Sequence, residues 1–335
     1  MIVTTPQMIH YVEDVGRYNN ELIDYTKLIK FSEFKLDNPY DLAIDIIDDN
    51  PELPSFLKKE FKIQTWKSWA EHVYVGEVTA VDVYAAIFEM FESNNHRYFS
   101  NLNYEERLEI HKFLYETVAE EKKHSNLVEY MFEKCNYNFH KITKDAAYEK
   151  LIQDEVNENN LLRTMFYYNM GECEILTTLS LIIRHTVNED KKNYLKMLLQ
   201  EESKHFNGFT KVMRLIRKNI TKEEITPLEL GPNGPYFYKM VYHPEYLGTM
   251  NIPRFFNYCK ENLLQSDPQN QNIVQKFWKS IESNQFQQEH YSLFNRKFYM
   301  YYNILFPDVS ADEYNRNLKT ILNSFVNSFQ WEPRE

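Results

Sequence analysis

Two short stretches of the chain decide its fold: AEEKKHSNL at residues 119–127 and QEESKHFNG at residues 200–208. Each copy contains the pattern Glu-Glu-x-Lys-His, and the two copies are separated by 81 residues. In a helix, side chains three positions apart lie on one face, one turn from each other. The second Glu and the His of each copy therefore share a face, and both are side chains that bind metal ions. The repeat raises the hypothesis of one metal site built from two halves of the chain.

The composition favours long helices around a large core. Only 7 of the 335 residues are Gly, whereas 25 are Tyr and 23 are Phe. Few glycines indicate few tight turns, and abundant aromatic side chains argue against disorder. The formal net charge of −11 disfavours binding to the phosphate backbone of a nucleic acid. We therefore predict a single all-α domain over residues 1–335 without a nucleic-acid partner.

Three features of the sequence predict a cytoplasmic protein that does not enter a membrane. Cys135, Cys173 and Cys259 are odd in number and lack C-x-x-C spacing, which indicates neither a disulfide framework nor a thiolate zinc site. The N-terminus lacks a basic start followed by an apolar stretch, so no secretory signal is expected. The longest nearly apolar run, residues 175–183, is much shorter than a membrane-spanning helix.

Apolar residues recur at helical spacing along four long segments. Prolines break residues 37–62 into loops and short helices, and the residues at 221–253, rich in proline and glycine, are predicted to form a loop or lid. The core at about residues 64–219 is expected to be a four-helix bundle, with additional N- and C-terminal helices packed outside it. The predicted helices cover residues 17–36, 64–93, 104–135, 143–157, 159–188 and 190–219, and lie near 254–265, 270–305 and 311–329 within the C-terminal part, 254–329.

Each long helix that precedes a Glu-x-x-His motif carries one Glu inside its apolar stripe. A bundle that binds two metal ions takes Glu-x-x-His from each of two helices and one Glu from each of the other two. A buried carboxylate without a partner is costly, and two divalent ions would neutralise the four negative charges of such a site. The predicted metal ligands and catalytic carboxylates are Glu77, Glu121, His124, Glu172, Glu202 and His205.

The spacing of these residues fits two antiparallel helical hairpins, in which residues equidistant from the turn lie level. The midpoint between Glu77 and Glu121 falls in the predicted loop NNHRYFSNL, and the midpoint between Glu172 and Glu202 falls at the predicted break TVNED. Glu174 fits the register equally well, so it stays open as the ligand from the third long helix. Its face carries an arginine and two threonines rather than an apolar stripe, which favours Glu172.

The order Glu, Glu-x-x-His, Glu, Glu-x-x-His resembles the ferritin-like di-iron carboxylate superfamily over about residues 64–215. This superfamily includes the ribonucleotide reductase small subunits, the acyl-carrier-protein desaturases, the bacterial multicomponent monooxygenases and the p-aminobenzoate N-oxygenases. The resemblance implies two Fe ions per chain, with Mn as a competitor at either position, and O₂ as co-substrate. It further implies bridging or capping glutamates from the two motifs, one metal on each histidine and mainly terminal ligation by the single glutamates.

Two positions depart from particular members of this superfamily. Reductase small subunits that form a radical place Tyr seven residues after the Glu of the first motif, where this chain has Val128. The N-oxygenases place a third His four residues before the last Glu, where this chain has Leu198. These differences disfavour service to a reductase partner and a site with seven ligands. Tyr167 and Tyr168 are similar in position to a tyrosine that is redox-modified in oxidase relatives.

The resemblance implies an oxidoreductase, a non-haem di-iron oxygenase that hydroxylates or N-oxygenates a small-molecule organic substrate. One alternative is a desaturase acting on an acyl chain bound to a carrier protein, for which the basic residues 211–218 are a candidate docking surface. A further alternative is a non-catalytic metal-binding or iron-storage protein. A reductase or ferredoxin as electron donor and a homodimer both stay open.

Other residues near the motifs are expected to have ordinary structural roles. Glu120 and Glu201 point about 100° away from the ligand faces, and we expect them to be solvated partners of Lys123 and Lys204 at the surface. Further residues expected to pack in the core, lie at the surface or interact with a helix end are His72, His185, Glu289, His290, Tyr84, Phe88 and Phe209.

Overall fold

A computed structural model describes residues 55–93, 96–134, 141–185, 189–230 and 285–328. Within these ranges the chain forms helices and turns without a β-strand, which confirms the all-α prediction. We number the helices in chain order: α1 Ser55–Glu92, α2 Tyr104–Lys134, α3 Ala146–Glu155, α4 Leu161–His185, α5 Glu189–Ile216, α6 Lys222–Ile225, α7 Gln285–Leu305 and α8 Ala311–Ser328.

The four long helices form two hairpins that pack against each other. Helix α1 packs along α2 and α4 along α5, and contacts between α2 and α5 join the two hairpins. A 3₁₀ turn, Arg97–Phe99, lies between α1 and α2, where the sequence predicts a break. The rings of Tyr98 and Phe99 in this turn are buried, so the connection closes one end of the core.

Local sequence explains where several helices begin. The amide of Asn103 donates to the Glu106 carboxylate, and the amide of Glu106 donates back to the Asn103 side chain, which forms a reciprocal cap before α2. The side chain of Asp145 accepts from two backbone amides in the first turn of α3. Helix α1 starts at Ser55, earlier than the predicted start at residue 64.

Helix α7 covers the outer side of α4 and also contacts α5. The Phe166 ring of α4 packs against Phe298 at 5.5 Å and against Tyr301 at 5.4 Å between ring centroids. Since α4 has neighbours on two sides, it buries polar as well as apolar positions. Helix α8 follows at Ala311–Ser328, close to its predicted range, and packs on α7.

The first part of the predicted loop or lid at residues 221–253 contains two short helical turns. A capping box of Thr221 and Glu224 starts α6, and a 3₁₀ turn, Thr226–Leu228, follows. Glu224 also accepts a hydrogen bond from the Tyr98 hydroxyl at 2.5 Å, which fastens α6 to the connection between α1 and α2. The Thr-x-x-Glu spacing is a helix-start signal that the density of prolines and glycines further on obscures.

Several predicted elements lie outside the described residues. They are the helix at 17–36, most of the broken stretch at 37–62, the rest of the loop at 231–253, the helix at 254–265 and the first part of the helix at 270–305. Among the helices that the structure describes, none has the length and apolar character needed to cross a membrane.

Candidate metal centre

Two glutamates and two histidines from the duplicated motif meet inside the bundle. Glu121 and His124 come from α2, and Glu202 and His205 come from α5. One ligand atom from each of the four lies within 4.8 Å of the others, and all four side chains are buried. This group could bind a metal ion, as the spacing predicts.

The Nδ1 atom of His124 faces carboxylates from three helices. It lies 3.1 Å from Glu202 Oε1, 3.5 Å from Glu77 Oε2 and 3.9 Å from Glu121 Oε2. The structure therefore brings Glu77, which lies in the apolar stripe of α1, to the same cluster.

The Nδ1 atom of His205 has the equivalent surroundings from the opposite side. It lies 2.9 Å from Glu121 Oε1, 3.2 Å from Glu202 Oε2 and 3.8 Å from Glu172 Oε2. Glu121 and Glu202 therefore approach both imidazoles, whereas Glu77 of α1 and Glu172 of α4 approach one each. The centroids of the two imidazole rings are 5.7 Å apart.

Unpaired polar atoms at this cluster fit a metal centre. Glu77 Oε2, His124 Nδ1 and Glu172 Oε2 are buried and make no hydrogen bond of good geometry with any residue that the structure describes. A buried carboxylate oxygen or imidazole nitrogen without a partner is costly unless it binds a cation. These atoms belong to carboxylate and imidazole side chains that lie close to one another, so the cluster could hold a metal ion.

The electrostatics of the carboxyl groups show the same demand for positive charge. Burial raises the pKa of Glu77 to about 8, against the opposing effect of His124. Burial, together with the charge of Glu202, raises the pKa of Glu172 well above its ordinary value. Burial alone would raise the pKa of Glu202 too, but His124 and His205 outweigh it and hold that pKa well below its ordinary value.

The imidazoles respond to the surrounding carboxylates. Burial would lower the pKa of His124 and of His205, but the carboxylates around them raise both pKa values well above the ordinary range. Without a metal, protons supply the positive charge at these nitrogens. A divalent ion would take their place.

The sequence suggested that Glu120 and Glu201 are solvated side chains with a surface role. The structure instead places both of them against the histidines of the cluster. Glu201 Oε2 lies 2.8 Å from Nε2 of His124, and Glu120 Oε2 lies 3.0 Å from Nε2 of His205. Each glutamate thus contacts the histidine of the facing helix. The rotation of about 100° that turns it away from its own ligand face also turns it toward the other motif.

The lysines before the two histidines differ in environment. Lys204 is exposed and its Nζ lies 2.9 Å from Glu120, which agrees with a surface role. Lys123 is only 4% exposed, and its Nζ lies 3.4 Å from Glu201. The expectation of a surface role is therefore wrong for Lys123.

Tyr84 of α1 contacts the cluster, although its helical spacing suggested a residue of the core. Its hydroxyl donates a hydrogen bond to Oε1 of Glu172. Burial and the neighbouring charge of Glu172 raise the pKa of the Tyr84 phenol well above its ordinary value, which keeps it protonated as a donor. The ring packs against Tyr168 at 5.4 Å and against Phe209 at 5.0 Å between centroids. Tyr84 lies on the stripe of Glu77, but periodicity gives no sign of a contact with another helix.

Glu174 is buried as well, and so are Thr177 and Thr178 on its face. Glu172, however, is the glutamate of α4 that lies near His205. Glu174 instead contributes to the charge around the buried Cys173 thiol.

The remaining tempting residues do not extend the cluster. Glu289 of α7 pairs with Arg184 at 2.8 Å, which agrees with its expected surface role. The side chains of His72, His185 and His290 lie outside the described residues.

Comparisons with known proteins return no relative for this chain. No protein-family model matches it, and neither does any curated protein or solved structure. What the site can do therefore has to be argued from its own geometry and chemistry.

Proposed function

We propose that this chain belongs to the ferritin-like di-iron carboxylate superfamily and is an O₂-dependent oxidoreductase that acts on a small organic substrate. The observation that carries the proposal is the near-symmetric cluster around two imidazole Nδ1 atoms, each facing three carboxylates in a buried site. When bound, two ferrous ions would supply electrons for the reduction of O₂.

The six side chains have distinct tasks in this proposal. His124 and His205 each hold one metal through Nδ1. Glu121 and Glu202 extend between the two positions, because each lies close to both imidazoles. Glu77 of α1 completes the position of His124 on α2, and Glu172 of α4 completes the position of His205 on α5.

The carboxylates behind the histidines fix the direction of the rings. Glu201 accepts a hydrogen bond from Nε2–H of His124, and Glu120 accepts one from Nε2–H of His205. This leaves each Nδ1 free for a metal. These contacts link α2 and α5 across the centre. They also keep the two half-sites at a fixed separation.

Apolar and aromatic residues keep bulk water from the site. Leu114, Leu176 and Phe209 are at most 2% exposed, and Phe209 lies one turn after His205. A dry interior strengthens the attraction between the carboxylates and bound cations. A substrate in the same interior is thereby separated from solvent during oxidation.

Metal analysis and O₂ uptake test the proposal together. Protein reconstituted with Fe(II) under anaerobic conditions should retain about two iron ions per chain. On mixing with O₂, it should consume O₂ faster than free Fe(II) at the same concentration. Retention of less than one iron, or O₂ uptake no faster than the free ion, would overturn the proposal.

The matched variants are Glu121→Ala in the cluster and Glu116→Ala on the same helix. Glu116 is exposed and pairs only loosely with Lys112 at 3.8 Å. The first change should remove iron and O₂ uptake, whereas the second should leave both as in the unmodified protein. An equal loss in both variants would indicate damage to the fold and would contradict the assigned site.

A further inference from the structure

The two hairpins place equivalent glutamates and histidines at the cluster, but the residues packed around these side chains differ. Glu77 of α1 corresponds to Glu172 of α4, since each lies beside the histidine of its own hairpin. Seven residues after Glu77 is Tyr84, and seven residues after Glu172 is Leu179. The symmetry of the cluster is therefore broken at the position two turns after Glu77 and Glu172.

Tyr84 uses its hydroxyl to hold the glutamate of the other hairpin. The hydroxyl donates to Oε1 of Glu172, while Oε2 of the same carboxylate faces His205 Nδ1 at 3.8 Å. One oxygen is thus anchored and the other is directed toward the metal position. Hydrogen bonds that involve an ionised carboxylate are among the stronger ones in proteins.

The ring of Tyr84 is itself held in place. It is 1% exposed and lies between Tyr168 and Phe209, at 5.4 and 5.0 Å between centroids. A side chain packed on both sides gives its hydroxyl little freedom to leave the carboxylate. The anchor on Glu172 is therefore preorganised before any metal binds.

Glu77 has no equivalent anchor in the opposite hairpin. Leu179 occupies the matching position, is buried, and carries no group that donates a hydrogen bond. Within the part of the chain that the structure describes, Oε2 of Glu77 and Oε2 of Glu172 both lack a hydrogen bond of good geometry, so the two carboxylates differ in the bond from Tyr84 to Oε1 of Glu172. The carboxylate at the His124 position is therefore less constrained than the one at the His205 position.

We infer that Tyr84 is a positioning residue that makes the two metal positions inequivalent. The position formed by His205 and Glu172 binds a divalent ion more tightly, and the one formed by His124 and Glu77 binds more weakly. Glu172 keeps one orientation, whereas Glu77 is the carboxylate that changes its mode of binding. This inference rests on the proposed function, because it requires two metal positions in one cluster.

Binding of Mn(II), followed by the loss of the free-ion EPR signal, tests the inference without any catalytic reaction. The unmodified protein should bind two Mn(II) ions with unequal affinities. His124→Ala should leave the tighter position, and His205→Ala should leave the weaker one. Outer contacts of metal ligands are worth about 10–100-fold in metal affinity, and we expect a difference of that size between the two variants.

Tyr84→Phe then locates the cause of the difference. Combined with His124→Ala, it should weaken Mn(II) binding by about 10–100-fold. Combined with His205→Ala, it should leave the affinity unchanged. Tyr301→Phe is the matched control, because Tyr301 is equally buried but its hydroxyl contacts only the Met165 carbonyl, at 3.4 Å, and the Asn169 side chain.

The outcomes separate this inference from the proposed function. A protein that binds fewer than two Mn(II) ions would overturn both. If the unmodified protein binds two Mn(II) ions but the two histidine variants bind Mn(II) with equal affinity, the inference is overturned and the proposed function stands. The comparison of the two histidine variants retains Tyr84, so it decides the matter even if Tyr84→Phe does not fold.

Discussion

The hairpin of α1 and α2 and the hairpin of α4 and α5 carry the same ligand types in the same order, yet they meet different surroundings. In the second hairpin, α7 packs against both α4 and α5. In the first hairpin, Val75 of α1 is half exposed, and it lies only two residues before Glu77. The comparison teaches that helical spacing fixes which side chains converge, whereas the neighbours of each helix determine how firmly they are held.

The largest expected effect is the loss of bound metal when a glutamate that lies close to both imidazoles is removed. Removing a glutamate that lies close to only one imidazole should cost less metal. Glu202 lies 3.1 Å from His124 and 3.2 Å from His205, so Glu202→Ala should abolish binding at both positions. Glu77 approaches only His124 among the two histidines, at 3.5 Å, so Glu77→Ala should retain about one metal per chain. Metal content after dialysis, measured by mass spectrometry, checks both.

The same experiment includes a measure of stability. A metal present at 100 times its dissociation constant stabilises the folded chain by about 2.7 kcal/mol. The unmodified protein should therefore lose thermal stability when a chelator is added, and the Glu202→Ala variant should not respond. Equal metal content in the two variants would contradict the division into glutamates close to both imidazoles and glutamates close to one.

The convergence of the cluster could be predicted from the sequence, because each of its side chains belongs to a pattern that is visible within its own helix. Glu77 and Glu172 interrupt apolar stripes, and the Glu-x-x-His spacing marks α2 and α5. Equal distances from two predicted turns then set the register. No contact beyond one hairpin is needed for these steps, which explains why they agree with the structure.

The second layer could not be predicted in the same way, since it depends on how one hairpin is rotated against the other. Glu201 contacts the imidazole of His124, and Tyr84 contacts the carboxylate of Glu172, each across the interface between the hairpins. Periodicity places such residues on a face of their own helix but does not say what that face meets. Helix α4 also buries polar residues outside its apolar stripe, among them Glu174 and Thr178, which the pattern of a single amphipathic helix would leave exposed.

The pH dependence of the metal-free protein is the next largest effect, and it tests the electrostatics that the two hairpins share. The pKa of Glu77 is raised to about 8, so its ionisation progressively destabilises the folded state between about pH 4.3 and 8. The pKa values of His124 and His205 are raised as well. Their stabilising contribution is complete below about pH 6.5 and is lost as pH rises through the folded-state pKa.

These shifts act in the same direction above pH 6, so the metal-free protein should unfold at lower denaturant concentration at pH 9 than at pH 6. Glu202 has a lowered pKa and loses its contribution only in acid, outside this window. The metal-loaded protein should show a smaller decrease or an increase, because protons compete with the metal at its ligands. Glu77→Gln should flatten the decrease in the metal-free form, and an unchanged slope would contradict the role given to that carboxyl group.

A smaller effect is expected from the carboxylates behind the two histidines. Glu201→Gln and Glu120→Gln keep the shape of each side chain but remove the charge that orients the imidazole proton. Each should weaken metal binding by about 10-fold or more. Mn(II) titration measures this loss, with the exposed Glu116→Gln as control.

The two variants should differ in the stability of the metal-free protein. Glu201 lies beside the buried Lys123, whereas Glu120 lies beside the exposed Lys204, which can turn its ammonium group into water. Removing one charge of a buried pair is more costly than removing one of an exposed pair. Urea denaturation should therefore show a larger loss for Glu201→Gln, and equal losses would indicate that the two hairpins bury this layer to the same extent.

The smallest expected effects come from glycines that occupy helices in the two hairpins. Gly76 and Gly171 directly precede Glu77 and Glu172, and a Cβ at either would meet no atom within 4 Å. Alanine is favoured over glycine in a helix interior by up to about 1 kcal/mol. Gly76→Ala and Gly171→Ala should therefore each raise the urea midpoint slightly, without a change in the denaturant slope.

Gly208 of α5 should behave in the opposite way, although it is also helical. A Cβ at this position would overlap the ring of Phe113, which reaches it from α2. Overpacking of this kind typically destabilises by about 1–3 kcal/mol, which outweighs the gain in helix propensity. Gly208→Ala should therefore lower the urea midpoint, and Phe113→Leu in the same chain should restore part of the loss by making room. A raised midpoint in Gly208→Ala alone would mean that α2 and α5 lie farther apart than described, and the distances across the metal centre, which the same two helices set, would have to be longer too.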